Sequence, residues 1–82
     1  MGRRPNYTLK EDEKPMYPAE MRVLKEVGLG RTNGEIAKNL FVSISTIRSH
    51  LKSLYRKTKT ENRYQLIIFA RENYLYGKDI NE

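Results

Sequence analysis

The chain of 82 residues has no cysteine and no tryptophan, and it carries one histidine, three prolines and five glycines. Without cysteine it has neither a disulfide framework nor a thiolate zinc site, the two devices that commonly staple domains this small. A single histidine with scattered acids gives no metal-ligating set, no paired carboxylates and no nucleophile–base pattern, and no glycine-rich phosphate loop of the usual spacing is present. The expectation is therefore a protein without catalysis, cofactor or metal. The longest apolar run, Leu66 to Ala70, is far too short to span a bilayer, and no apolar segment comes after the basic residues near the start. A cytoplasmic location with no membrane partner is the default. A chain this short buries only about 60% of its unfolded surface, which suits one small core and no large enclosed site.

What is present is positive charge, and it is unevenly placed. The formal net charge is +6. Residues 1–18 carry four Lys/Arg against three Asp/Glu, residues 19–63 carry ten against four, and residues 64–82 carry two against three. The ends nearly cancel. Between Arg48 and Arg63 there are six cations and one acid, Glu61. A field concentrated in this way draws polyanions, nucleic acid first among them.

Residues 1–15 are polar and lack a sustained apolar period, so they read as a flexible N-terminal tail. The pair Arg3-Arg4 is a weak signal for a minor-groove arm. Pro18 suits the first turn of a helix, and Val23, Leu24 and Val27 give that helix a core face, with Met16 or Tyr17 placed to pack back onto it. Gly28-Leu29-Gly30 ends it. Thr32-Asn33-Gly34-Glu35 has the spacing of a capping box and opens a second helix to about Leu40, with Ile36, Ala37 and Leu40 facing inward. Ala37 is small enough for a steep approach of the next helix. Phe41-Val42 forms the turn, and Ser43 caps the third helix.

The stretch from Ile44 to about Lys59 is the one the chain is organised around. Ile44, Ile47, Leu51, Leu54 and Tyr55 recur at helical spacing as a core face. Ser45, Arg48, Ser49, Lys52, Arg56 and Lys59 fall on the opposite side. Short hydroxyls mixed with long cations suit a helix lying in a DNA major groove, where they meet base edges and phosphates. A last helix starts from an Asn62 cap and runs to about Tyr74. Leu66, Ile67, Ala70 and Tyr74 form its inner stripe, while Tyr64, Ile68 and Leu75 share a second stripe with Arg71. That second stripe is either half-exposed packing or the interface of a homodimer. Residues 77–82 read as a polar C-terminal tail. The fold is all-α, four short helices with a central helix-turn-helix.

Several of these residues together resemble a known family. Gly30-Arg31-Thr32-Asn33-Gly34-Glu35-Ile36-Ala37, then Leu40-Phe41-Val42-Ser43, Thr46-Ile47-Arg48, His50-Leu51, Tyr55-Arg56-Lys57 and Asn62-Arg63, are similar to the LuxR/GerE-type DNA-binding domain over residues 16–76. The resemblance implies a winged-helix-like fold without a wing. It also implies a bacterial transcription regulator on double-stranded promoter DNA, commonly dimeric through the fourth helix, with RNA polymerase as a further candidate partner. On this pattern Arg48, Ser49 and Lys52 face bases. Asn33, Thr46, Lys57 and Arg63 lie near phosphates, joined there by Ser45, Arg56 and Lys59 from the basic face. His50 takes a packing or phosphate-side role. The opening Met16-Tyr17-Pro18-Ala19-Glu20-Met21-Arg22-Val23-Leu24 departs from the family's usual Leu-Thr-x-Arg-Glu-x-Glu-Val-Leu, and Thr58-Lys59-Thr60 replaces its apolar, glycine-containing corner. The resemblance fits a stand-alone regulator and the terminal domain of a longer one alike. The competing reading is a protein-interaction module or sigma-like element acting on the transcription machinery.

Overall fold

Each helix starts where a side chain takes up an otherwise unpaired backbone N–H, and three of the four close through paired backbone hydrogen bonds. A computed structural model describes residues 16–75, with Leu75 described by its backbone alone. Both tails expected from the sequence, residues 1–15 and 77–82, lie outside the described residues. Helix α1 is Pro18–Gly28, α2 Asn33–Leu40, α3 Ile44–Thr58 and α4 Arg63–Ala70, continued by a π-helical turn, Arg71–Leu75.

The caps obey the local chemistry. At α2, the Glu35 N–H donates to the Thr32 hydroxyl (3.1 Å) and the Thr32 N–H donates to the Glu35 carboxylate (2.8 Å), which completes the capping box. The Thr46 N–H donates to the Ser43 hydroxyl (3.1 Å) at α3, and the Gln65 N–H donates to the Asn62 side-chain carbonyl (2.9 Å) at α4. At α1, which has no hydroxyl cap, Glu20 reaches back instead and accepts from the Tyr17 N–H at 3.0 Å. Met16 packs against the core beside this start.

Helices α1, α2 and α3 all close through a paired backbone motif around one left-handed residue. The N–H of Gly30 bonds to Val27 and that of Arg31 to Glu26; Phe41 bonds to Lys38 and Val42 to Ala37; Lys59 bonds to Arg56 and Thr60 to Tyr55. Among the described residues, those held at positive φ are Gly30 (84°), Phe41 (60°) and Lys59 (59°). Only the first of these is a glycine. For the other two the left-handed backbone presses Cβ toward a carbonyl oxygen, at roughly 1–2 kcal/mol each.

The core is small and drawn from all four helices: Val23, Leu24 and Val27 of α1, Ile36 and Ala37 of α2, Ile47, Leu51 and Leu54 of α3, Leu66 and Ala70 of α4. Each fully buried Leu, Ile or Val contributes roughly 1.5–3 kcal/mol. Helix α1 touches each of the other three, so it is the beam against which α3 is set. The sequence expectation of a continuous last helix to Tyr74 is corrected at its end. The α-helix stops at Ala70 and the chain widens into the π turn, where the Asn73 amide donates to the Phe69 carbonyl at 2.8 Å. Ile44, expected in the core, is also corrected: it stands at the very start of α3, after α2 has ended, and is 43% exposed.

One polar cluster lies inside this core. The Lys57 ammonium of α3 meets the Glu20 carboxylate of α1 at 2.7 Å, with the two side chains only 2% and 5% exposed. The Ser53 hydroxyl donates to the other carboxylate oxygen at 2.7 Å, and the centre of the Tyr17 ring lies 4.2 Å from the ammonium. Burial by itself raises the Glu20 pKa, but the hydrogen bonds from Lys57, the Tyr17 amide and Ser53, with the Lys57 charge, outweigh it and hold the carboxyl below its ordinary value.

These features carry two expected outcomes. A group held below its ordinary pKa stabilises the fold fully above the unfolded value of 4.5 and loses that contribution as pH falls through the folded one. Glu20→Gln, which removes the carboxylate charge facing the buried Lys57 ammonium, should lower stability by about 3 kcal/mol at pH 7 in urea unfolding, and the gap to the parent should narrow near pH 3. The corners predict opposite signs. Gly30→Ala, whose Cβ would meet nothing within 4 Å and so adds only backbone strain, should destabilise by about 1 kcal/mol. Phe41→Gly should stabilise by up to about the same amount, the larger freedom of unfolded glycine offsetting part of the relief.

Candidate nucleic-acid interface

The outward side of α3 carries Ser45, Arg48, Ser49, Lys52 and Arg56, all exposed, with Lys59 exposed at the corner beyond. Turning about 100° per residue places these side chains opposite Ile47, Leu51 and Leu54, which are buried. The face therefore exists because the core stripe pins the rotation of the helix. Three cations on successive turns and two short hydroxyls leave room for a partner to approach the helix closely.

The remaining residues assigned to phosphates divide by what already holds them. The Thr46 hydroxyl shares a 3.0 Å hydrogen bond with the Ser43 hydroxyl at the start of α3, and Thr46 is half-buried. Arg63 donates through one guanidinium nitrogen to the Asn33 side-chain carbonyl and through another to the Arg31 backbone carbonyl, both at 2.7 Å. These bonds tie the first turn of α4 to the first turn of α2. Asn33 and Arg63 are thus brought together as one unit. The loop between α1 and α2 is braced further by Arg31, which pairs with Glu26 at 2.9 Å, while the Asn39 amide donates to the same carboxylate at 2.9 Å.

Lys57 is the clearest correction. Expected near phosphate, it points inward and its ammonium is occupied by Glu20, because its position on α3 faces α1 rather than the outer surface. Arg71 is the second. Expected on an outer stripe with Tyr64 and Ile68, its guanidinium donates to the Gly28 carbonyl at 2.8 Å and closes the C-terminal end of α1. What remains exposed of that stripe on α4 is Tyr64 (71%) and Ile68 (37%). The Leu75 side chain, the fourth residue expected there, lies outside the described residues. His50 lines a shallow groove between α1 and the start of α3, with Arg22, Val23, Leu40, Val42 and Ile47 among its walls. Among the described residues no three of His, Cys, Asp or Glu converge where a metal ion would bind, and no helix is long and apolar enough to cross a membrane.

Sequence reasoning does not assign two apolar residues to this face that the structure leaves beside it. Phe41 is 92% exposed and Ile44 projects beside Arg48, one turn away. A signal for Ile44 is present, since it sits at the edge of the apolar stripe and at the first helical position, where no preceding turn covers it.

Residues 17–70 match the luxR family of bacterial regulatory proteins. The chain is similar to the CsgBAC operon transcriptional regulatory protein of Escherichia coli, 33% identical over 69 residues that make up 83% of this chain and 32% of that protein. It is similar to the probable transcriptional regulator ycf29 of Cyanophora paradoxa, 43% identical over 58 residues, 71% of this chain and 28% of the relative. The transcriptional regulatory protein LiaR of Bacillus subtilis is 32% identical over 56 residues, 68% of this chain and 26% of the relative. The chain thus spans about a third of the length of such relatives. No solved structure matches it.

Proposed function

Because the chain belongs to the luxR family of bacterial regulatory proteins, we propose that it binds promoter DNA sequence-specifically through α3 and regulates transcription without catalysis. The observation that carries this reading is the outer face of α3, where Ser45, Arg48, Ser49, Lys52 and Arg56 are exposed on a helix whose rotation the core has fixed. A helix about 10–12 Å across fits the major groove, and a helix-turn-helix lays its second helix there with the N-terminal residues at the base edges.

In that arrangement Arg48 forks onto a guanine edge, since its planar guanidinium presents two parallel N–H donors to O6 and N7. Ser49 and Lys52 read neighbouring bases. Ser45, Arg56, Lys59 and the Thr46 hydroxyl hold phosphates, and the charges among them release counterions on binding. Lys57 contributes from the inside, through the ion pair that fixes α3 against α1. Asn33 and Arg63 meet the backbone as a bonded pair, with the Asn33 amide N–H groups left to donate. Two copies associate through Tyr64 and Ile68 of α4, giving a symmetric reader of a palindromic site. The same two residues also support the alternative in which α4 docks on the transcription machinery, RNA polymerase included. The work takes place on promoter DNA, in the cytoplasm.

Selection of bound sequences from a random DNA pool, with mass measurement of the protein, tests the reading. Arg48→Ala should lose about 1–3 kcal/mol on the selected site and relax preference at one base pair. Arg56→Ala should weaken all sequences alike and lower the slope of log affinity against log salt by about 0.9. Equal losses on selected and random DNA for both variants would overturn the assignment. Salt-insensitive binding to a protein partner with no DNA shift would favour the alternative.

A further inference from the structure

Beyond its polar side chains, the recognition helix opens with an apolar surface that the hydroxyl–cation reading does not use. Phe41, Val42 and Ile44 are 92%, 41% and 43% exposed, and they stand together at the entry to α3. The core does not need them there, because Ile47, Leu51 and Leu54 already fill the inner face of the helix. Ile44 is the one on the helix itself. It lies four residues before Arg48, so the two share a face one turn apart, with Ser45 beside them.

A β-branched side chain on that face has one chemical match in the major groove. The edges of adenine, guanine and cytosine present donors and acceptors there, whereas thymine presents an apolar C5-methyl group. We infer that Ile44 is a specificity-determining residue that reads the methyl group of a thymine. The inference rests on the proposal that α3 enters the major groove. Four residues of helix rise about 6 Å, which is close to two base steps of about 3.4 Å. The thymine therefore lies about two base pairs from the guanine read by Arg48. A methyl group seated against the Ile44 side chain leaves water.

The test replaces each thymine of the selected site in turn by deoxyuridine, which removes the methyl group and changes no hydrogen-bonding edge. The parent protein should lose roughly fourfold in affinity at one thymine, the worth of one buried methyl group. Ile44→Ala should bind the thymine and uracil forms equally while still discriminating the base pair read by Arg48. Ile44→Val, which keeps a branched side chain, should retain most of the discrimination, and this separates a reading role from a change in folding. Parent binding to the selected site that is indifferent to every methyl removal would overturn the inference alone, as would unchanged discrimination by Ile44→Ala. A parent protein that shows no sequence preference at all would overturn the DNA-reading proposal together with it.

Discussion

The buried ion pair between Glu20 and Lys57 sets the geometry on which the outer face depends. It joins the first turn of α1 to the last turn of α3, with Ser53 and the Tyr17 ring completing the enclosure. Two charges leave water at a cost of several kcal/mol each, and the attraction between them recovers this only when the geometry is good and the remaining hydrogen bonds are made. Here they are made: among the described residues no buried side-chain nitrogen or oxygen is without a partner. An apolar pair of similar volume would hold the helices with less dependence on register. An ammonium that must meet a carboxylate at 2.7 Å fixes both the rotation and the slide of α3 along α1.

That fixation matters because the turns on either side of α3 are not built from relaxed residues. Phe41 and Lys59 both occupy the left-handed backbone where Gly30 does so at no steric penalty. The strain is offset because each corner satisfies two helix-end carbonyls at once. The helix-turn-helix angle is then held by backbone hydrogen bonds at the turn and by the ion pair at the far end of α3. The span between them is left with little to do except present its side chains.

Much of this is legible in the sequence, and the reason is that helix ends are local. Thr32, Ser43 and Asn62 each act within three residues, so a window of four reads them correctly. The core stripe is legible for a similar reason, because its period is set by the helix alone. The departures share a different origin. Lys57 and Arg71 engage partners 37 and 43 residues away, namely Glu20 and Gly28. A helical wheel gives the angle of such a side chain but not what stands opposite it. Ile44 departs for the converse reason: the wheel places it next to core residues, and only the end of α2 at Leu40 leaves it uncovered.

Pairing state, more than charge, therefore distinguishes two groups of cations among the described residues. Lys57, Arg63 and Arg71, with Arg31 in the α1–α2 loop, spend donors on carboxylate or carbonyl oxygens elsewhere in the chain, and they build the scaffold. Arg48, Lys52 and Arg56 stand exposed along one side of α3. Of the scaffold cations, Lys57 contributes little to long-range steering, since the Glu20 carboxylate offsets its charge, while an exposed cation acts over about a Debye length, roughly 8 Å at physiological salt. The effective basic patch is consequently narrower than the six cations between Arg48 and Arg63 suggest, and it is aligned with the helix axis. A narrow stripe orients a polyanion along α3, whereas a diffuse patch would only attract it.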